Sequence, residues 1–278
     1  VGGREQIEEA YRLAHEVSGS AGQRLRATTA AWLASLVFAD DDPQRMAALL
    51  REALDAAAPE HHGARARATL VAAFAYHYGG QAERAHPWYE ASRRHAIADG
   101  DEAHLSALMH NQAWLRASQS RAALLFEAGA DQRAVTQAQI SAESIGHYDA
   151  GIGTASLGSL VPMLRAQVLT AQGRWAEALD LFEVHFDGAM QEGLKRFAAS
   201  LLADRAWCEH QLGNADQARL LVGAADQALA EPMDVDDRML ALARLAQVRE
   251  ALGQSSAAAA QHSEARALYA QYRAQQQR

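Results

Sequence analysis

A chain of 278 residues, 49% hydrophobic and with five prolines, is long enough to bury a large core and to form one or two domains. Its formal charge of −8 and pI of about 5.8 disfavour a broad phosphate-binding surface, because nonspecific nucleic-acid affinity accumulates from positive charge, so no direct nucleic-acid partner is expected. A single cysteine, Cys208, excludes an internal disulfide, and no run of 18 apolar residues marks a membrane span or signal peptide, so the expectation is a cytoplasmic protein without a membrane partner.

Aromatics make up 6% of the chain and no stretch alternates Val, Ile, Thr or Tyr as a strand would, so the chain reads as all-α. Residues 4 to 18 place Ile7, Ala10, Tyr11, Ala14 and Val17 on one helical face, like the second helix of a repeat whose first half is missing. A hairpin follows from about Gln23 to Ala57. It is broken at Asp40-Asp41-Asp42-Pro43, where aspartate caps and proline starts the next helix. Residues 58 to 63 connect to further hairpins at about 64 to 98, 102 to 145, 156 to 192, 194 to 230 and 236 to 275. In the last link, Glu231-Pro232-Met233-Asp234-Val235-Asp236, proline stops one helix and aspartates start the next. Residues 1 to 278 therefore read as a single repeat domain, and a chain opening on Val1 is expected to be processed or a piece of a longer protein.

The hairpins share one print. Gly80, Gly129, Gly173, Gly213 and Gly253 each have an alanine seven residues before (Ala73, Ala122, Ala166, Ala206, Ala246) and another five after (Ala85, Ala134, Ala178, Ala218, Ala258). Glycine supplies the left-handed turn, and the small alanines let the two helices approach closely. With alanine at about 23% of the chain, roughly one of the 19 glycines should show both partners by chance. Six do, and the sixth, Gly63, stands too near Gly80 for another hairpin and reads as the chance match. Ser35, Asp42 and Ala47 form an earlier, degenerate unit. A period near 40 residues calls for a solenoid.

These residues resemble the tetratricopeptide repeat (TPR) family, whose motif has a small residue, a turn glycine and an alanine at these offsets. The aromatic and apolar positions are met in part by Tyr76, Leu169, Trp175, Tyr89 and Phe182, and the fullest unit runs from Ala166 to Phe182. The resemblance implies a right-handed α-solenoid superhelix of about six hairpins. The long units look more like the helical input arms of bacterial regulators, of the maltose-activator type or fused to diguanylate cyclases, than like the family's usual repeats of about 34 residues.

Catalytic signals are weak. The twelve histidines include no His-Glu-x-x-His and no pair at i, i+4, Cys-x-x-Cys is absent, and no metal, cofactor or catalytic residue is expected. Gly151-Ile-Gly153 follows a helix rather than a strand, which argues for a loop and against a dinucleotide site. Glu177 and Asp180 read as solvated, and Trp175 as core.

In the family's superhelix the first helices line a concave groove. The residues this implies for binding are Arg67, Phe74, His77, Asn111, Trp114, Arg116, Gln119, Gln167, Trp207 and His210, a strip of aromatic and polar side chains with arginines toward its N-terminal end. Trp207 is the leading candidate. The resulting expectation is a non-enzymatic scaffold with a regulatory role that holds a protein or peptide in the groove. The alternative is a ligand-sensing input domain of a bacterial signalling protein, with a homodimer formed through the polar C-terminal helix as one route to an output domain.

Overall fold

The structure, a computed structural model, describes residues 2–40, 42–127, 132–152 and 158–277. Helices make up 86% of it, and no strand occurs among the described residues. The helices are α1 (Gly2–Ala14), α2 (Gly19–Ala39), α3 (Pro43–Ala56), α4 (His62–Tyr78), α5 (Ala82–Asp99), α6 (Glu102–Phe126), α7 (Gln132–Ile152), α8 (Leu160–Ala171), α9 (Trp175–Gln191), α10 (Ala198–Gln211), α11 (Ala215–Ala228), α12 (Val235–Ala251) and α13 (Ser255–Gln276), with a 3₁₀ turn over Leu194–Phe197 before α10.

The glycine turns have the geometry their spacing predicts. At Gly80, Gly173, Gly213 and Gly253 φ is +71°, +76°, +89° and +77°, left-handed backbone that disfavours any residue with a Cβ. The next N–H then donates to the carbonyl five residues back: Gln81 to Tyr76 at 2.9 Å, Arg174 to Leu169 at 3.0 Å, Asn214 to Glu209 at 2.9 Å and Gln254 to Arg249 at 2.8 Å. That bond caps the orphan carbonyls of one helix and aims the chain into the next. Gly129 lies outside the described residues, and Gly63 sits in the first turn of α4 rather than in a turn between helices. The α2–α3 turn uses no glycine. There Asp42 accepts from the Arg45 N–H at 2.9 Å and Pro43 opens α3.

The alanines before the turns are all buried, as are Ala85, Ala178, Ala218 and Ala258 after them. Ala134 is only half-buried, and Ala138, one turn later, takes the buried position in α7. Helix α7 also runs to Ile152, past its expected end near 145, so Gly151 is helical and not in a loop. Glycine weakens a helix without stopping it, and no proline stands in this stretch. Residues 153 to 157 lie outside the described set.

The chain divides into two compact units, and the division falls within α6, between Asn111 and Gln112. In the first unit the core joins α2 (Ala30, Leu33, Val37), α3 (Met46, Leu49, Ala53) and α4 (Ala68, Val71). A second cluster joins Leu70 and Ala73 of α4 to Ala85 and Tyr89 of α5 and to Leu108 of α6. Arg4 ties α1 to the end of α2 through two hydrogen bonds to Asp40, at 2.7 and 2.8 Å.

In the second unit one cluster joins α8, α9 and α10 through Met163, Ala166, Phe182, Phe197 and Leu201. The next joins α10, α11 and α12 through Ala206, Leu221, Val222, Leu245 and Val248. First helices of successive hairpins touch within each unit: α2 with α4, α8 with α10, and α10 with α12. Each hairpin buries its apolar face partly against the next, so alanine at these contacts sets how closely the helices pack.

Candidate binding face

Where α2 and α4 lie side by side in the first unit, they present an aromatic face. Trp32 is 43% exposed although its ring is large and apolar. The Arg67 guanidinium lies 3.6 Å from the centre of that ring, a cation–π contact. Two turns further along, Phe38 meets Phe74 edge-on at 5.2 Å and Tyr78 at 5.7 Å. The spacing explains the placement on α4, because Arg67 and Phe74, seven residues apart, lie two turns apart on one side of the helix.

Arg67 is half-buried, yet among the described residues it makes no hydrogen bond and no ion pair. Burial lowers its pKa, with Asp101 acting weakly in the other direction. The effect reaches a neighbour. His104 is buried and its pKa is lowered, first by burial and then by the Arg67 charge. The Ser92 hydroxyl donates to the Ala66 carbonyl at 2.9 Å, so at 2.8 Å from His104 it accepts from Nε2–H, which fixes the tautomer of the ring.

His77, expected on the same strip, is instead 4% exposed, with Nδ1 3.0 Å from the Tyr89 hydroxyl in the α4–α5 contact. Asn111 is half-buried on α6.

In the second unit the expected strip meets a buried charge set. Arg121, on the second half of α6, is 1% exposed and donates from Nη2 to Asp204 at 2.6 Å and to Ser200 at 2.8 Å. Arg244, on α12, donates from Nε to the other oxygen of Asp204 at 2.8 Å and from Nη1 to Gln247 at 2.7 Å. Asp204 itself is fully buried. Gln167, 1% exposed, donates to Ser200 at 3.3 Å and belongs to this set. Burial lowers the Arg121 pKa and the Asp204 carboxylate acts in the opposite direction, so Asp204 offsets part of the cost of burying the guanidinium.

The end of α6 is anchored nearby, since Leu125 and Phe126 pack with Leu242, Ala243 and Leu268, and the Phe126 ring stacks on Tyr269 at 4.4 Å. Trp207 is half-buried, with its ring 5.6 Å from the Arg244 guanidinium and 6.0 Å from His210. His210 Nδ1 is buried with no hydrogen-bond partner among the described residues. Trp114 tilts against Phe197 at 4.2 Å. Arg116 is exposed and donates to Ser141 on α7 at 2.6 Å, and Gln119 is half-buried beside it on α6.

The structure thus brings Arg67 and Phe74 onto one face, groups Gln167 with the charge set, and pairs Trp207 with His210. Trp32, Arg121, Asp204 and Arg244 carry much of this arrangement and were not among the residues selected from the sequence. Compared with known protein families, with curated proteins and with solved structures, the chain finds no match in any of the three.

Proposed function

We propose that the chain is a non-enzymatic binding scaffold of the TPR-like kind, a right-handed α-solenoid that holds a peptide or protein segment, with the α2–α4 face as its first contact. The observation that carries the reading is Arg67, a half-buried guanidinium stacked on a part-exposed tryptophan and without an ion pair among the described residues. Partly desolvating a cation without an anion costs the free protein some stability, and a ligand carboxylate relieves that cost on binding. Tryptophan and arginine are also the residue types that dominate binding energy when a partner covers them. Phe38, Phe74 and Tyr78 extend the face with apolar area for an adjoining side chain.

The test is selection from a random displayed peptide library, followed by calorimetric titration of the enriched peptides. Trp32→Ala and Arg67→Ala should each weaken binding by about 1 to 2 kcal/mol or more with the circular-dichroism spectrum unchanged. Asp180→Ala, on the exposed face of α9, should do little. Enriched peptides that bind both variants with wild-type affinity, or a library that yields none, would refute the assignment.

A further inference from the structure

Helix α12 opens on three carboxylates, Asp234, Asp236 and Asp237. Acidic residues at a helix start ordinarily cap it or answer its dipole, and a cluster of them means no more than that. Two observations separate this one from ordinary capping. Asp234 occupies the N-cap position with extended backbone, yet its side chain accepts no hydrogen bond from the first turn. Asp237 is 2% exposed, and its Oδ1 has no hydrogen-bond partner among the described residues. One oxygen from each of the three aspartates lies within 4.8 Å of the other two.

The charges around the cluster do not balance. Burial and then its carboxylate neighbours hold Asp236 and Asp237 above the usual aspartate range. Arg121 and Arg196 act in the opposite direction on Asp237 without cancelling this. Arg196 stands 3.8 Å from Asp234 but is exposed, and Arg121 is already bonded to Asp204.

We propose that Asp234, Asp236 and Asp237 form a divalent-cation site that takes calcium. The donors are all carboxylate oxygens, which suit a hard cation rather than zinc or copper. Calcium binds oxygen ligands at about 2.4 Å in flexible geometry, and the three oxygens lie close enough together to share one such ion. Magnesium dehydrates reluctantly and is usually held through one or two carboxylates, so a three-carboxylate site suits the larger ion. With three protein ligands, water completes the coordination. The helix dipole and the two arginines oppose a cation, which places the affinity in the weak range, with Kd on the order of 10⁻⁴ M. The absence of paired histidines and cysteines, which argued against a metal from the sequence, has no bearing on an all-oxygen site.

Full-length protein stripped with a chelator would be titrated with calcium chloride, and separately with magnesium chloride, by calorimetry and by thermal melting. Calcium near 10 mM should raise the melting temperature by about 5 °C, and magnesium should do so less. Asp236→Asn, at a half-buried position away from the Arg121 contact, should weaken calcium binding at least tenfold while its circular-dichroism spectrum stays that of the wild type. No heat and no melting shift at about 10 mM calcium would overturn the proposal. So would an equal shift in Asp236→Asn, or one reproduced by potassium chloride at matched ionic strength, which would be screening alone.

Discussion

Replacing Asp204 with alanine removes the carboxylate bonded to both Arg121 and Arg244, two guanidinium groups 1% and 5% exposed. Breaking a buried ion pair by deleting one partner costs about 3 to 5 kcal/mol, because the remaining charge stays desolvated and unpaired. Here two charges are left. Asp237 acts on Arg121 from further away and offsets part of the loss, so the expected cost is the upper part of that range, about 4 to 5 kcal/mol. For a unit of this size 1 kcal/mol corresponds to about 2 to 4 °C, so its melting temperature should fall by about 8 to 20 °C in scanning calorimetry. Glu177→Ala is the control, since Glu177 pairs with Arg174 at the surface with both side chains about half exposed, and its removal should shift the melt by about 2 °C or less. A triple variant, Arg121→Met, Asp204→Leu and Arg244→Met, should recover much of the loss, because a buried ionic set can be replaced by packed apolar groups. An Asp204→Ala protein that melts within about 2 °C of the wild type would refute the claim that these arginines depend on Asp204.

Three further outcomes follow from the same geometry. Gly213→Ala, at φ +89°, should lose about 1 kcal/mol in urea denaturation through backbone strain, whereas Gly223→Ala, inside α11 with open space where its Cβ would go, should gain about 0.5 to 1 kcal/mol. Ala206→Leu should cost about 1 to 3 kcal/mol, since Ala206 is fully buried where α10 meets its neighbours, and an unchanged melting temperature would mean that the contact is loose. The lowered pKa of His104 sets a pH dependence whose sign is fixed. Its unfolded value is near 6.5 and its folded value is lower, so its contribution is intact above pH 6.5 and is lost as pH falls from 6.5 toward the folded value. His104→Gln should therefore flatten the decline in melting temperature between pH 7.5 and 5.5, and an identical decline in wild type and variant would contradict this assignment.

The hairpins were legible because each is closed by local chemistry. A glycine turn, a small residue seven before it and another five after it lie within one stretch of chain, and four of the five turns have the expected left-handed backbone while the fifth, at Gly129, lies outside the described residues. The charge set was not legible, because Arg121 and Asp204 are 83 residues apart and nothing local to either announces the other. Part of it leaves a trace when the hairpins are aligned on their small residues. Two positions before that residue the chain reads Leu33, Val71, Ser120, Leu164, Asp204 and Arg244, so an acid and a base occupy one slot in successive hairpins and meet at 2.8 Å. Arg121 escapes this comparison, since it stands one position before Ala122 and on the hairpin with the widest spacing.

The same alignment explains why Arg67 has no ion-pair partner among the described residues. Six positions before the small residue the hairpins carry Thr29, Arg67, Arg116, Leu160, Ser200 and Leu240, with no acid among them. A cation in this slot finds no carboxylate at the equivalent place on the next first helix, whereas a cation two positions before the small residue does. Arg244 therefore meets an internal anion on α10 and is buried with it, and Arg67 settles on the nearest π face, Trp32, and stays part-exposed. Two arginines on first helices, alike to a composition or periodicity argument, thus divide into one buried in an ion pair and one stacked on a part-exposed ring. The division depends on what the neighbouring hairpin holds in the same slot.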